Sequence, residues 1–214
     1  IKQIIETPGR KDQNPLAVNQ YMEANTLHLG QMGCDYPLSI TQRKALYTFL
    51  NEKEEKVFAV NGPPGTGKTT LLQSVVANYV VQSVKKNEPP VILACSTNNQ
   101  AVTNIIESFS KSNSNLPLLG QRWISAVEGF AAFLPANSKQ ILKGINYYKG
   151  DDSSNLSAID DYENVKRYEG EFLAGINEYT KKNFVDLTTC CDYLKDEILG
   201  IENSLNEAKQ LWKD

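Results

Sequence analysis

Apolar residues along the chain follow two regimes, with a change near residue 156. Before it, short unbroken apolar runs alternate with stretches of helical spacing. The runs are Val57-Phe58-Ala59-Val60 and Val91-Ile92-Leu93-Ala94-Cys95. Runs this short, rich in β-branched residues and bounded by polar turns, predict buried strands. Between them Leu71, Leu72, Val75, Val76, Tyr79 and Val80 recur at helical spacing, and Lys85-Lys86-Asn87-Glu88-Pro89-Pro90 ends that helix. After the second run, Ser96-Thr97-Asn98-Asn99 forms a polar turn into a further helical set, Ala101, Val102, Ile105, Ile106 and Phe109. Strand–helix–strand–helix in this order predicts an α/β fold on a parallel sheet.

Upstream, residues 1–13 are polar and read as extended. Asn14-Pro15 marks a helix start, with Leu16, Val18, Tyr21 and Met22 as its apolar set to about Ala24. Gly30 and Gly33 mark a loop. Thr41 is placed to cap a second helix running to about Asn51, with Ala45, Leu46, Phe49 and Leu50 facing inward. Residues 111–150 are less regular: Leu118–Ile124 reads as a strand, Phe130–Phe133 as an apolar run, and 138–147 as a helix behind Pro135.

From about Leu156 glycine becomes sparse and no proline occurs. Leu187, Cys191, Leu194, Ile198, Ile201, Leu205, Ala208 and Trp212 alternate steps of four and three, a heptad stripe. Ile159, Tyr162, Val165, Phe172, Ile176 and Tyr179 form a looser stripe before it, with the break at Asn183. The pattern reads as a helical hairpin or coiled-coil insertion, or as two ordinary helices packed on the core. The chain thus divides into an N-terminal segment over 1–35, a sheet-based domain over 36–150 and a helical region over 151–214.

The 214 residues are 41% hydrophobic and 22% charged, as in an ordinary soluble protein. A net charge of −3 gives no global signal for nucleic acid but leaves room for a local groove. Four cysteines without a C-x-x-C, and a single histidine, His28, argue against a zinc site. No signal peptide or membrane-length apolar run occurs, so the expectation is a cytoplasmic protein with free thiols and no membrane partner. The absence of an initial Met suggests a piece of a longer chain.

The chemistry is concentrated in Asn61-Gly62-Pro63-Pro64-Gly65-Thr66-Gly67-Lys68-Thr69-Thr70, which fits G-x-x-x-x-G-K-[ST]. A triphosphate needs many donors and no bulky side chains in the way. Glycines let the backbone wrap the phosphates with its N–H groups inward. Lys68 is placed to reach the β- and γ-phosphates, and Thr69 to ligate Mg²⁺. The loop joins an expected strand to a helix N-terminus, where the dipole favours an anion. Gly62 to Thr70 are therefore the candidate ATP and Mg²⁺ site, with Lys68 and Thr69 as its catalytic residues.

The same loop occurs in AAA+ ATPases and in superfamily 1 helicases, and its flanks resemble the helicases. Leu38-Ser39-Ile40-Thr41-Gln42-Arg43-Lys44-Ala45-Leu46 is similar to the helicase Q motif. The resemblance implies that the Gln42 amide reads adenine, a task suited to a donor and acceptor side by side. Ser96-Thr97-Asn98-Asn99-Gln100-Ala101-Val102-Thr103-Asn104 resembles motif Ia of the branch that includes the nonsense-mediated-decay helicases, although that branch usually has an acid where Thr103 stands. It implies that Thr97, Asn98 and Asn99 contact the backbone of single-stranded DNA or RNA; alternatively, Thr97 or Asn98 caps a helix.

The resemblance covers about residues 36–110 and implies an incomplete RecA-like P-loop NTPase domain, with the region from 156 at the place of an insertion. No apolar strand ending Asp-Glu is found to supply the acids of hydrolysis. Asp160-Asp161 and Asp186 lie in other contexts, and Arg43 lies beside the Q motif without a motif of its own. The expectation is an ATP-binding piece of a helicase or translocase without efficient hydrolysis. An AAA+ remodelling ATPase is one alternative. An interaction module whose helical arm recruits a protein partner, with a vestigial nucleotide site, is another.

Overall fold

The computed structural model describes residues 18–32, 37–51, 57–110, 123–124, 131–134, 147–150, 157 and 159–213. The chain divides into two units, Ile1–Val91 with Lys195–Asp214, and Ile92–Leu194.

The first unit is built on α1 (Val18–Asn25), α2 (Ile40–Asn51) and α3 (Lys68–Lys86). The start of α2 is set by Ser39 rather than Thr41. The Gln42 N–H donates to Ser39 Oγ (3.3 Å) and the Ser39 N–H donates to Gln42 Oε1 (2.7 Å). This reciprocal pairing is a capping box, and the S-x-x-Q spacing carries it in the sequence. The core joins Ala24 of α1, Leu38, Leu46 and Tyr47 of α2, and Leu71 of α3. Tyr47 was not among the expected inward residues. Its ring lies 4.8 Å from that of Tyr21 and its hydroxyl donates to Asn25 Oδ1 (2.6 Å). Burial pushes the Tyr47 phenol up from its usual pKa.

The buried face of α3 is largely polar. Ser74 and Asn78 are each 3% exposed. Ser74 donates to Thr70 O (3.1 Å). Asn78 Oδ1 accepts from the N–H groups of Leu29 (2.9 Å) and Gly30 (3.3 Å), fastening the loop after α1 to the middle of α3. Gly30 is needed there, because a Cβ would meet the Asn78 N–H and the Ala77 carbonyl. His28 lies in the same loop; its Nε2 is buried and has no hydrogen-bond partner among the described residues.

The expected strands over 57–60 and 91–95 do not form: both segments lie outside any strand. Val57, Val60, Val91 and Leu93 are exposed, as are Leu72, Tyr79 and Val80 of α3. Parallel strands are stable with neighbours on both sides and helices on both faces. Among the described residues the one sheet lies elsewhere and pairs β1 (Ala132–Phe133) with β2 (Tyr148–Lys149) in parallel. It belongs to the second unit. The strand expected over 118–124 lies outside the described residues except for Trp123 and Ile124, which form a bend; the helix expected over 138–147 lies outside them except for Tyr147, which is not helical.

The second unit also holds α4 (Asn99–Ser110), α5 (Tyr162–Thr180) and the first part of α6 (Leu187–Lys213). Asp161 caps α5, accepting from the N–H groups of Glu163 (3.0 Å) and Asn164 (3.2 Å). Lys181 ends it in the left-handed region at φ 56°. The turn to α6 is held by Asn177, whose amide donates to Phe184 O (3.0 Å) and accepts from the Phe184 N–H (2.7 Å). Asp186 then caps α6 through the Thr189 N–H (2.8 Å), which with the Thr189 hydroxyl holds its carboxyl below the usual range. Ile176 and Cys190 are fully buried. Trp123 lies over Gly175, between the rings of Phe172 and Tyr179. Among the described residues no helix is long and apolar enough to cross a membrane.

Asn78→Ala strands two backbone N–H groups and should cost about 1–3 kcal/mol, read by chemical denaturation. Burial holds His28 below its ordinary pKa of 6.5, mainly by desolvation. The unfolded chain therefore takes up a proton first as pH falls, so His28 should lower stability as pH drops through about 6.5 and below. His28→Phe should flatten that part of the stability–pH curve.

Candidate nucleotide-binding loop

The loop between the extended segment 57–60 and α3 is shaped by two glycines in the left-handed region, Gly65 (φ 80°) and Gly67 (φ 75°). L-residues with a Cβ are strained there. Gly67 is the N-cap of α3, and no side chain caps the helix. Its first turn thus offers backbone donors and the positive end of the helix dipole to an anion. Thr66 Oγ1 donates to Pro63 O (2.8 Å), which folds the loop across itself. Pro63 and Pro64 are exposed on its outer turn, and Gly62 is half-buried.

Lys68 Nζ donates to the carbonyls of Gly62 (2.6 Å) and Pro63 (2.7 Å). Its ammonium therefore lies over the loop rather than extending into solvent. These are charge-assisted bonds to neutral oxygens, which anionic phosphate oxygens would replace with stronger ones. Thr69 is exposed and Thr70 half-buried, both on the first turn of α3.

Gln42 reaches this loop from α2. Its Nε2 donates to Gly67 O (2.9 Å) and, more weakly, to Thr66 O (3.4 Å), while its Oε1 receives the Ser39 N–H. One amide therefore closes the capping box of α2 and holds the last turn before α3. A Cβ on Gly67 would run into the Gln42 amide nitrogen. Arg43 turns the other way, with Nε donating to Leu38 O (3.0 Å). Ser39 was missed as a site residue, although its spacing from Gln42 carries the signal.

The residues fit a nucleoside triphosphate: a loop open to backbone approach, an uncapped helix start, a lysine and a hydroxyl. For Mg²⁺ they supply the Thr69 hydroxyl. Asp160 lies in a bend and Asp161 is committed to capping α5, so neither stands at the end of a strand.

The Asn-rich turn belongs to the second unit. Asn98 Oδ1 accepts the Gln100 N–H (2.9 Å) and the Asn98 N–H donates to Ser96 Oγ (3.0 Å), so Asn98 caps α4. Thr97 is exposed; the side chain of Asn99 lies outside the described residues.

Residues 37–128 match the family model of an AAA domain. Over 83 residues, 39% of this chain, it is 32% identical to mouse DNA-binding protein SMUBP-2 and 34% identical to the DNA polymerase alpha-associated DNA helicase A of Schizosaccharomyces pombe. Over 134 residues, 58% of this chain, it is 25% identical to the Drosophila melanogaster Regulator of nonsense transcripts 1 homolog. Residues 37–128 thus resemble an AAA domain of the superfamily 1 helicase type, as in relatives of the nonsense-mediated-decay branch. The matched segments span 8%, 11% and 11% of those three relatives. No solved structure matches the chain. The match to the AAA domain contains Gln42, the whole loop and the Asn-rich turn, and implies a P-loop NTPase fold.

Within the matched segment, Gly65 and Gly67 should respond differently to a methyl group. A Cβ at Gly65 meets nothing within 4 Å, so Gly65→Ala should cost only the backbone strain, about 1–2 kcal/mol. Gly67→Ala should cost more, because it also displaces Gln42. Thermal unfolding of the two variants side by side reads the difference.

Proposed function

We propose that the chain is the nucleotide-binding part of an ATP-dependent helicase or translocase acting on single-stranded DNA or RNA. The observation that carries this reading is the Gln42 amide bonded to the loop at Thr66 and Gly67. An amide, with the donor and acceptor side by side that reading a base edge needs, thus lies against the glycine-rich loop, a feature a generic NTPase does not require.

In this reading the N–H groups of residues 65–70 cradle the phosphates. Lys68 leaves the Gly62 and Pro63 carbonyls for the β- and γ-phosphate oxygens, and Thr69 ligates Mg²⁺, with Thr70 beside it. Mg²⁺ supplies charge neutralisation across the phosphates. Gln42 gives up part of its bonding to Gly67 and turns its donor–acceptor edge to adenine. Val57–Val60 and Val91–Cys95, which lie outside any strand here, have the composition to join a RecA-like sheet once neighbouring strands pair with them. Thr97, Asn98 and Asn99, at the start of α4, hold a strand by its phosphates without reading bases. The chain, whose sequence carries no apolar run ending Asp-Glu, is read as binding ATP without efficient turnover. Its free Cys95, Cys190 and Cys191 suit a reducing cytoplasm. The region 151–214 is an insertion that receives a protein partner.

An AAA+ remodelling ATPase would have the same loop but gives Gln42 no task. The test is a titration of a fluorescent ATP analogue with Mg²⁺ into wild type and Lys68→Ala, with phosphate release assayed in the same sample. Saturable binding that Lys68→Ala weakens at least about tenfold, a loss of about 1.4 kcal/mol or more, without turnover, is the expected result. Wild-type turnover comparable to a complete motor, or binding indifferent to Lys68, would contradict it.

A further inference from the structure

The second half of α6, which belongs to the first unit, buries a stripe that matches its heptads only in part. Lys195, Ile198, Glu202, Leu205 and Lys209 are half-buried, at steps of three and four that place them on one face. That face meets the C-terminal end of α3: Lys85 pairs with Glu202 (2.5 Å) and Lys195 Nζ donates to Asn87 Oδ1 (3.2 Å). Of the heptad residues, Ile198 and Leu205 lie on that face, while Ile201, Ala208 and Trp212 are turned outward. Ile201 is 58% exposed, Trp212 63%, and Leu211 beside it 79%. Ile201 and Trp212 share one helix face, with Leu211 at its edge, and large apolar side chains at such exposure mark an interaction site rather than ordinary surface scatter.

Among the described side chains the charges beside that face share one sign: Asp196, Glu197 and Glu207 border it, while Lys195 and Lys209 lie on the half-buried face instead. At its upper end a groove runs past Asp196, Glu197, Gly200, Ile201 and Ser204. Gly200 is the floor of this notch: a Cβ there would meet nothing within 4 Å, so no packing within the chain requires a glycine at mid-helix. A glycine in that place costs about 1 kcal/mol relative to alanine. It admits the close approach of a second backbone.

We propose that this face of α6 docks a basic amphipathic helix of another protein, with Ile201 and Trp212 as apolar anchors and Asp196, Glu197 and Glu207 as the acidic rim. The proposal rests on reading the helical region as a partner platform and names the partner's chemistry. A second copy of this chain fits poorly, since it would set three acids against three acids. Nucleic acid is repelled by the same rim.

The test uses the whole chain with Trp123→Phe, which leaves Trp212 as the only tryptophan of the two in the sequence. The probe is a fluorescein-labelled amphipathic helix of leucine and lysine; the control has the same pattern with glutamate for lysine. Saturable binding with a blue shift of Trp212 emission is expected. Asp196→Lys with Glu197→Lys should weaken it about tenfold or more, and added salt should weaken it further. Anisotropy of the labelled helix on the wild-type chain repeats the measurement without the Trp123 substitution. No shift, binding indifferent to the charge reversal, or equal response to the glutamate helix would overturn the proposal. So would a shift that grows with the chain's own concentration, with a dimer in sedimentation. None of these readouts depends on nucleotide, so failure here is distinct from failure of the ATP site.

Discussion

A single side-chain amide, that of Gln42, fixes the relation between α2 and the glycine-rich loop before α3. Its oxygen holds the Ser39 N–H, one of the donors that a helix start leaves free, and its nitrogen holds the Gly67 carbonyl. Gly67 stays where the amide can reach it because its φ of 75° and missing Cβ allow the approach. The loop and the first turn of α2 are thereby joined through one side chain. Through Leu46 and Tyr47, that helix connects to the buried cluster shared with α1 and α3. The site has no rigid sheet to stand on among the described residues, so this bond and the polar face of α3 carry the positioning.

Helix α3 serves three attachments along its length. Its uncapped start faces the glycine-rich loop. Its middle holds the loop after α1 through Asn78, which satisfies two backbone donors at once. Its end, where Asn87 adopts the left-handed region and Lys85 complements the dipole, meets α6. Each attachment is polar and directional, which fixes orientation more sharply than apolar contact does.

Legibility in the sequence followed the range of the forces involved. The loop, α3 and the body of α2 were readable because their signals are local: glycines at fixed spacing, a lysine and hydroxyl at the helix start, and helical periodicity. Resemblance singled out Gln42, but its bond to Gly67, across 25 residues, was not readable. Val57–Val60 and Val91–Cys95 carry strand composition, yet a strand exists only when a neighbour pairs with it, and composition cannot supply the neighbour. The stripe on α6 was legible in part: Ile198 and Leu205 lie on the half-buried face, while Ile201 and Ala208 fall one position off it. Apolar spacing pointed to Ile201 and Ala208, whereas Lys85 and Asn87 draw in Glu202 and Lys195, whose long stems cover surface while their ends pair. Asn78 was missed because a polar residue in a helix gives no periodic sign of being buried.

Hydrogen exchange with and without Mg²⁺-ATP tests the central claim, that Gln42 makes the nucleotide loop and the start of α2 one responsive element. The account predicts that nucleotide slows exchange across 62–70 and also changes exchange at Ser39 to Arg43, and that Gln42→Ala uncouples the second response from the first. Protection confined to the loop, with the start of α2 unchanged in the wild-type chain, would contradict it.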